Sequence, residues 1–272
     1  MGIRRIGLAG LGVLFVLSII SSSSCRKTKD SITLAGSTAF QPFAEELAEM
    51  YMKTHPEARI NVQGGGSIVG IQSVKEGAAD IGMADLLRLP QEVEGQLNSV
   101  IVAKDGIAIV INPANKIENI TLKDARSIFS GQIRNWKELG GEDHTIDVIS
   151  REEGSGTRRS FEELVLNGVR LSNEALFQDS NGTIRESVAT SPHSIGYISI
   201  GFLNERVKPL KLDGASPTNE NVIAGLYPLA RPVFFLTKGE PSGLVKEFID
   251  FVMAREGQNL IKEKGLIPAR EY

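Results

Sequence analysis

The sequence predicts an α/β fold in which helices cover a largely parallel sheet. Short apolar runs rich in β-branched residues alternate along the chain with longer segments whose apolar residues recur at helical spacing. The 272 residues are 41% hydrophobic and 23% charged, which is ordinary for a globular protein that buries a sizeable core. This length favours one or two domains.

The first α/β block ends at the pair Asn112-Pro113. Within it, Phe43, Leu47 and Tyr51 are spaced as on one face of a helix. The continuous apolar runs near its end are typical of buried strands. We predict strands at residues 32–35, 60–63, 80–83, 100–103 and 107–111, and helices at residues 43–54 and 68–76.

A second block of the same kind follows. Thr121 and Asp124 have the spacing of a capping box, which predicts the start of a helix. We predict helices at residues 121–129, 157–167 and 242–255, strands at 147–150, 194–200 and 231–236, and a surface loop at 211–221. If the two blocks form two lobes, the proline-flanked strands at residues 109–112 and 229–233 are the expected crossings between them.

The N-terminus has the pattern of an export signal. Arg4 and Arg5 precede an apolar run at residues 6–20, and four serines then lead to Cys25. The run is too short and too rich in glycine to favour a membrane-spanning helix. We predict an export signal at residues 1–24 and a polar tether at 25–30, with an uncleaved anchor as the alternative.

Cys25 is the only cysteine and therefore cannot form an internal disulfide. Its place after the apolar run resembles a bacterial lipoprotein signal, in which this cysteine is lipidated. Ser22 stands where such signals usually carry Leu. We expect Cys25 to anchor the protein to the membrane through a lipid; an incidental cysteine in a signal cleaved elsewhere is the alternative.

The charge balance excludes some partners. The chain has 30 basic and 33 acidic residues and a net charge of −3. A mildly acidic chain is a poor candidate for binding nucleic acid or anionic lipid surfaces, so we expect no nucleic-acid partner. A site for an anion must then be built locally.

Three segments place glycine and hydroxyl residues between a predicted strand and a predicted helix, at residues 36–42, 64–67 and 154–157. The first turn of a helix carries N–H groups without intrahelical partners and a partial positive charge. Glycine lets the backbone approach a ligand closely, and Ser and Thr add donors. Each segment alone is also what ordinary helix capping requires. Together they predict a site for a small tetrahedral oxyanion.

Two charged residues adjoin these segments. Arg151 ends a predicted strand, and its planar guanidinium could bind an oxyanion bidentately. Asp85 also follows a strand and, as a carboxylate, only accepts hydrogen bonds. It favours an anion that has a proton to donate, as phosphate has near neutral pH and sulfate has not. A surface ion pair for Arg151 and a turn or cap for Asp85 are the alternatives.

An ordered set of motifs is similar to a known family. GSTAFQP, GGGS, DIGMAD, IFSGQIRNWKELGG, REEGSGTR and IGYISIGF, all found between residues 36 and 202, resemble the phosphate-binding proteins of bacterial phosphate-specific ABC transporters. The resemblance extends from residue 32 to the C-terminus, although the chain is compact for the family. It implies a two-lobed, hinged periplasmic-binding-protein fold, each lobe a mixed, mostly parallel sheet flanked by helices.

The resemblance also implies which residues act and where. The expected lobes are residues 31–110 with 231–272, and residues 111–230. The phosphate contacts fall on Thr38, Ala39, Ser67, Asp85, Arg151, Ser155, Gly156 and Thr157, with Ser37 as an additional hydroxyl. The implied protein is an exported monomer without a cofactor, which binds inorganic phosphate outside the cytoplasmic membrane and delivers it to ABC transporter permease subunits.

Other functions remain open at this stage. Another oxyanion, such as molybdate, tungstate or sulfate, could occupy the site, although Asp85 argues against it. A phosphate-sensing module would have the same sequence features. Catalysis is not expected, because no nucleophile motif is present and His55, His144 and His193 lack metal-ligand spacing. We expect Trp136 to pack in the core rather than to contact the ligand.

Overall fold

The computed structural model describes Gly2 and residues 31–271. The predicted lipidation site Cys25, the tether and, apart from Gly2, the export signal lie outside these residues. Within them, no helix is long and apolar enough to cross a membrane. The alternation of strands and helices that the sequence predicts is confirmed, and the fold is a mixed α/β fold.

The first part of the chain forms strands and helices close to the predicted positions. They are β1 Ser31–Gly36, α1 Gln41–Thr54, β2 Arg59–Gly65, α2 Ser67–Glu76 and β3 Ile81–Asp85. The next strand, β4, is continuous over Asn98–Ile111, whereas two separate strands were expected. The charged residues between the two apolar runs do not form a turn, because Asp105 is buried and paired with Arg231 on the neighbouring strand.

The middle of the chain contains β5 Asn119–Ile120, α3 Leu122–Phe129, β6 Asp147–Arg151, α4 Gly156–Phe161, β7 Leu176–Gln178, α5 Asn181–Thr190, β8 Ser194–Ser199, β9 Lys208–Pro209, β10 Lys211–Leu212 and α6 Asn219–Ile223. The predicted capping box at Thr121 and Asp124 is present. The helix predicted at 157–167 begins as α4 but continues as a π-helical segment at Glu162–Leu166. The predicted loop at 211–221 instead includes β10 and most of α6, because Leu212 and Val222 are buried.

The chain ends with β11 Ala230–Thr237, α7 Gly243–Met253, α8 Arg255–Glu263 and β12 Ile267–Pro268. The main sheet has the strand order β2-β1-β3-β11-β4-β8-β6-β7, with β9 and β12 also paired to β4. The outer strands pair in parallel, whereas β11 and β4 pair antiparallel with each other and with β3 and β8. The sheet is therefore mixed rather than largely parallel, because two strands return through its centre.

The two largest of the four hydrophobic clusters among the described residues divide the structure. Leu34, Phe40 and Phe235 belong to one of them, and Phe129, Trp136 and Tyr197 to the other. We call the elements around them the first and second lobe. Trp136 is buried and donates a hydrogen bond from Nε1 to the carbonyl oxygen of His193, which confirms its expected packing role.

Strands β4 and β11 both pass from one lobe to the other. Ile107, Ile109 and Ile111 pack in the second core, so β4 leaves the first lobe near Gly106. This position precedes the boundary expected at residue 110 and the crossing expected at 109–112, and the lobe boundaries stay predictions. The apolar run at residues 107–111 belongs wholly to the second lobe, where it pairs with β8.

Candidate oxyanion-binding site

Three helices begin where the two lobes meet. Helices α1 and α2 follow β1 and β2 in the first lobe, and α4 follows β6 in the second. The Ser155 side chain caps α4 by accepting a hydrogen bond from the Arg158 N–H, and Ser37 Oγ accepts from the Phe40 N–H at the start of α1. Ser155 therefore caps a helix, as the capping interpretation required, whereas Ser37 holds the turn that precedes α1.

Glycines let the lobes approach closely at this point. A Cβ atom on Gly156 would lie 2.2 Å from Ser67 Oγ and 2.5 Å from the carbonyl oxygen of Asp85. Gly66 has a φ of 93°, and a Cβ there would lie 2.7 Å from the carbonyl oxygen of Gly154. No other residue type fits either position without displacing the opposite lobe.

Hydrogen bonds also join the lobes. Arg151 Nη2 donates to Thr38 Oγ1 at 3.2 Å, and Thr157 Oγ1 donates to Asp85 Oδ2 at 3.1 Å. The structure brings the predicted site residues together: Ser67, Asp85, Arg151, Ser155 and Thr157 are each at most 2% exposed. Ala39 is buried beside the half-buried Thr38.

Asp85 lies among donors from both lobes. Ser67 Oγ donates to Asp85 Oδ1 at 2.6 Å, while Arg231 donates to Oδ2 from Nε at 3.0 Å and from Nη2 at 2.6 Å. Burial alone would raise the pKa of Asp85, but the charge of Arg231 and hydrogen bonds from Ser37, Ser67 and Arg231 outweigh burial and hold that pKa below its ordinary value. Asp85 is therefore a buried, ionised acceptor.

Two nitrogens of the Arg151 guanidinium, Nε and Nη2, donate hydrogen bonds to the protein. Its Nη2 donates to the carbonyl oxygen of Asp179 at 2.7 Å and to Glu152 Oε1 at 2.8 Å, and its Nε donates to the carbonyl oxygen of Gln178 at 3.1 Å. Its Nη1 is buried and has no hydrogen-bond partner among the described residues. A buried cationic donor of this kind suits an oxyanion. Because Nε and Nη2 already donate to the protein, Nη1 is the nitrogen that is free to bind an oxyanion. The expected bidentate contact is therefore reduced to one nitrogen.

Two residues of this cluster were missed by the sequence reasoning. Arg231 and Asp105 face each other across β11 and β4, and Arg231 Nη2 lies 3.0 Å from Asp105 Oδ2. Ser199 Oγ donates to Asp105 Oδ1 at 2.7 Å. The sequence did carry one signal for them, because each is a charged residue beside a long apolar run. A charge that is buried with such a run requires a partner.

The two carboxylates around Arg231 differ in their pKa values. Burial raises the pKa of Asp105 to about 6, although the charge of Arg231 and the hydrogen bond from Ser199 oppose the rise. One guanidinium cannot fully stabilise two buried carboxylates, so the group with fewer donors takes the higher pKa. Among the described residues, no group of three or more His, Cys, Asp or Glu is placed to hold a metal ion.

Two lobes joined by two crossing strands, with donors from both lobes converging between them, define the class of solute-binding proteins. A family model described as "PBP superfamily domain" matches residues 21–256. The phosphate-binding protein PstS of Bacillus subtilis is 37% identical over 257 residues, which cover 92% of this chain and 85% of that protein. The chain belongs to this superfamily and, within it, to the family of phosphate-binding proteins.

Other relatives agree over most of the chain. PstS of Borreliella burgdorferi is 28% identical, over 94% of this chain and 96% of its own. A crystal structure from Clostridium perfringens contains bound phosphate and is assigned to the substrate-binding proteins of phosphate ABC transporters. It is 37% identical, with a TM-score of 0.85 over 88% of this chain and 100% of its own. An ABC-type phosphate transport receptor from Vibrio cholerae is also 37% identical, with a TM-score of 0.74 over 87% of this chain and 99% of its own.

Proposed function

We propose that this protein binds inorganic phosphate outside the cytoplasmic membrane and delivers it to the permease subunits of an ABC importer. The observation that carries this proposal is Asp85, a buried and ionised acceptor placed among donors from both lobes. An anion that enters such a cluster must accept hydrogen bonds from the donors and also donate a hydrogen bond to the carboxylate. The names of the relatives at 37% identity support phosphate as that anion.

The contacts follow from the chemistry of each residue. Hydroxyl groups and backbone N–H groups at the starts of α1, α2 and α4 donate to the phosphate oxygens, and Arg151 Nη1 adds a charge-assisted hydrogen bond. Asp85 accepts a hydrogen bond from the protonated oxygen of phosphate. The proposed binding residues are Thr38, Ala39, Ser67, Asp85, Arg151, Ser155, Gly156 and Thr157. Ser37 acts indirectly, because its hydroxyl oxygen holds the turn before α1 and it is one of the donors to Asp85.

Selectivity follows from the same carboxylate. Sulfate, molybdate and tungstate carry no proton near neutral pH, so they would place an oxygen against an ionised carboxylate without a hydrogen bond between them. Two buried oxygen atoms that both carry negative charge and have no proton between them repel each other strongly. Phosphate is therefore the favoured tetrahedral anion.

The test is isothermal titration calorimetry on protein that has been unfolded, dialysed and refolded to remove carried-over anions. We expect phosphate to bind with a dissociation constant in the micromolar range or below, and sulfate to give no heat at the same concentration. Absence of phosphate binding at micromolar concentration would overturn the proposal. Because the named relatives are binding proteins of transporters, we expect no turnover of phosphate esters in a parallel assay.

Export and membrane attachment are separate proposals. We propose that residues 1–24 direct export, that Cys25 is lipidated, and that the mature protein works as a monomer. Mass spectrometry of the mature N-terminus tests the lipid, and an unmodified Cys25 would remove that part without affecting phosphate binding. Phosphate uptake by cells carrying the matching permease, with and without this protein, tests delivery.

A further inference from the structure

Arg231 is the least exposed charged residue next to the candidate site. It is 0% exposed and lies near the start of β11, where that strand leaves the second lobe. Its guanidinium donates twice to Asp85 Oδ2 and once to Thr157 Oγ1, at 3.0 Å. It also pairs with Asp105 at 3.0 Å. Arg231 thus contacts two residues of the proposed site and a carboxylate behind it.

Polar and charged groups from several elements surround Asp85. Arg231 comes from β11, Asp105 from β4, and Ser67 and Thr157 from the starts of α2 and α4. The hydroxyl group of Ser37 follows β1. Tyr197 on β8 faces Arg231 and stays neutral, because burial raises the pKa of its phenol to about 12. Arg231 is the only cation in this set, so the charge that balances Asp85 comes from it.

The selectivity argument depends on the protonation of Asp85. A buried carboxyl group without a cationic partner tends to take up a proton, because burial disfavours its charged form. A protonated carboxyl group has an O–H that donates. Such a group would form a hydrogen bond with sulfate as readily as with phosphate. An Asp85 that rejects sulfate must therefore remain ionised while fully buried.

We propose that Arg231 is a positioning residue for anion selectivity: it pairs with Asp85, keeps that carboxylate an acceptor only, and is itself held in place by Asp105. The inference rests on the proposed function, because it concerns how the phosphate site rejects other anions. Arg231 acts through Asp85, while Asp105 and Ser199 fix its orientation from the opposite side. The residues that distinguish the anions thus extend beyond those that would touch the ligand.

The decisive experiment measures sulfate binding by Arg231→Gln between about pH 5 and pH 8. Sulfate remains a dianion over this range, so any pH dependence belongs to the protein. We expect the wild-type protein to reject sulfate throughout. In the variant, sulfate affinity should rise by about tenfold for each unit decrease in pH until Asp85 is fully protonated, because one proton is taken up with the ligand.

Two control variants separate this role from a structural one. Arg231→Lys keeps a positive charge beside Asp85, so it should reject sulfate over most of the pH range. Arg206→Gln removes an exposed arginine that pairs with Glu186 on the surface, so its sulfate binding should match that of the wild type. If Arg231→Gln does not fold, the double variant Arg231→Gln/Asp105→Asn, which has one buried carboxylate fewer, carries the same expectation.

A direct readout requires no arginine variant. The infrared difference spectrum between the wild type and Asp85→Asn should show no protonated carboxyl band from Asp85 down to about pH 5; such a band would overturn the inference. Rejection of sulfate by a folded Arg231→Gln at every pH, in the presence of normal wild-type phosphate binding, would also overturn it and leave the proposed function intact. Failure of the wild type to bind phosphate would instead defeat both.

Discussion

Asp85 combines burial with a negative charge, two properties that seldom occur together in a protein interior. Arg231 and the surrounding hydroxyl groups make the combination stable by supplying donors to both carboxylate oxygens. A rigid acceptor is then in place before a ligand arrives. The selectivity of the proposed site depends on this single side chain more than on any other.

The first prediction concerns Asp85→Asn. The amide can donate a hydrogen bond, so sulfate should become a ligand at all pH values. Phosphate affinity should fall about 10- to 100-fold, because a hydrogen bond to a charged group is lost. Calorimetric titration of the variant with both anions measures the two effects. Rejection of sulfate by the folded variant would show that Asp85 has another role.

A second prediction concerns stability and pH. The folded protein holds a proton on Asp105 up to about pH 6, whereas the ordinary value is 3.8. Between these values the folded state binds more protons than the unfolded chain, so this group lowers the free energy of unfolding as the pH rises. Relative to acidic pH, Asp105 therefore destabilises the folded protein by about 3 kcal/mol at neutral pH.

The variant Asp105→Asn has no such proton to lose. Its free energy of unfolding, relative to the wild type, should therefore increase by about 2 kcal/mol between pH 4 and pH 7, since the rest of the effect falls below pH 4. Urea unfolding at both pH values measures the difference. Asp250→Asn, at an exposed position on α7, is the matched control and should show no such increase. An Asp105→Asn variant that behaves like this control would contradict the prediction.

Much of the candidate site could be predicted from local sequence, and part of it could not. The turn segments around Thr38, Ser67 and Ser155 were recognisable because helix capping is a local property. Their predicted contacts with phosphate stay predictions. Arg231 was missed because its partners depend on the register of β11 against β3 and β4, which separates Arg231 from Asp85 by 146 positions in the chain.

At the scale of elements, the contact between α4 and the first lobe leaves no room for a side chain at Gly156. A methyl group there would clash with Ser67 Oγ and with the carbonyl oxygen of Asp85. The carbonyl oxygen belongs to the backbone and cannot rotate away. The start of α4 can therefore approach α2 and β3 only when this position is glycine. The close approach of the lobes is a property of these three elements together.

The third prediction follows for Gly156→Ala. The added methyl group should push α4 away from α2 and weaken phosphate binding by about 5- to 100-fold, the cost of overpacking by one methyl group. Calorimetry measures the affinity, and thermal unfolding without phosphate should change little, because the core of each lobe is intact. Gly182→Ala, where a Cβ would lie 3.8 Å from Ser180 Oγ, is the control. Equal affinity in both variants would be evidence against lobe contact through α4.

Elements with a clear periodicity were predictable, and those that depend on distant pairing were not. Helices α1, α2 and α3 lie close to their predicted positions, because their amphipathic pattern and caps are local. Two strands were predicted in place of β4, because Asp105 and Gly106 interrupt its apolar pattern. In the structure, pairing with β11 keeps the strand extended across them. Helix α5 was not predicted; among its residues, only Asn181, Ile184 and Val188 are buried.

For the molecule as a whole, β4 and β11 are the strands that carry the main sheet from one lobe to the other within residues 31–271. Cross-lobe contacts such as Arg151 with Thr38 and Thr157 with Asp85 lie around the proposed phosphate site. We expect a bound anion to strengthen these contacts, because it accepts from both lobes at once. The empty protein is then expected to populate a more open arrangement.

The fourth prediction is that phosphate makes the protein more compact. Small-angle X-ray scattering of stripped protein should show a smaller radius of gyration after phosphate is added, and sulfate at the same concentration should leave the profile unchanged. The same measurement on Gly156→Ala should show a reduced response, since the start of α4 cannot reach the first lobe. Identical profiles with and without phosphate would exclude closure by the wild type.

The pairing of Arg231 with Asp105 lies on the two strands that join the lobes, so lobe opening can leave this ion pair intact. Asp105 and Arg231 are opposite each other in the β4–β11 ladder, and that ladder need not break when α4 moves away from α2. The free energy cost of removing these charges from water then arises once, during folding. Each later binding event requires only that α4 docks against the first lobe, where the charged groups of the site are already in place. Such preorganisation favours fast, repeated cycles of capture and release.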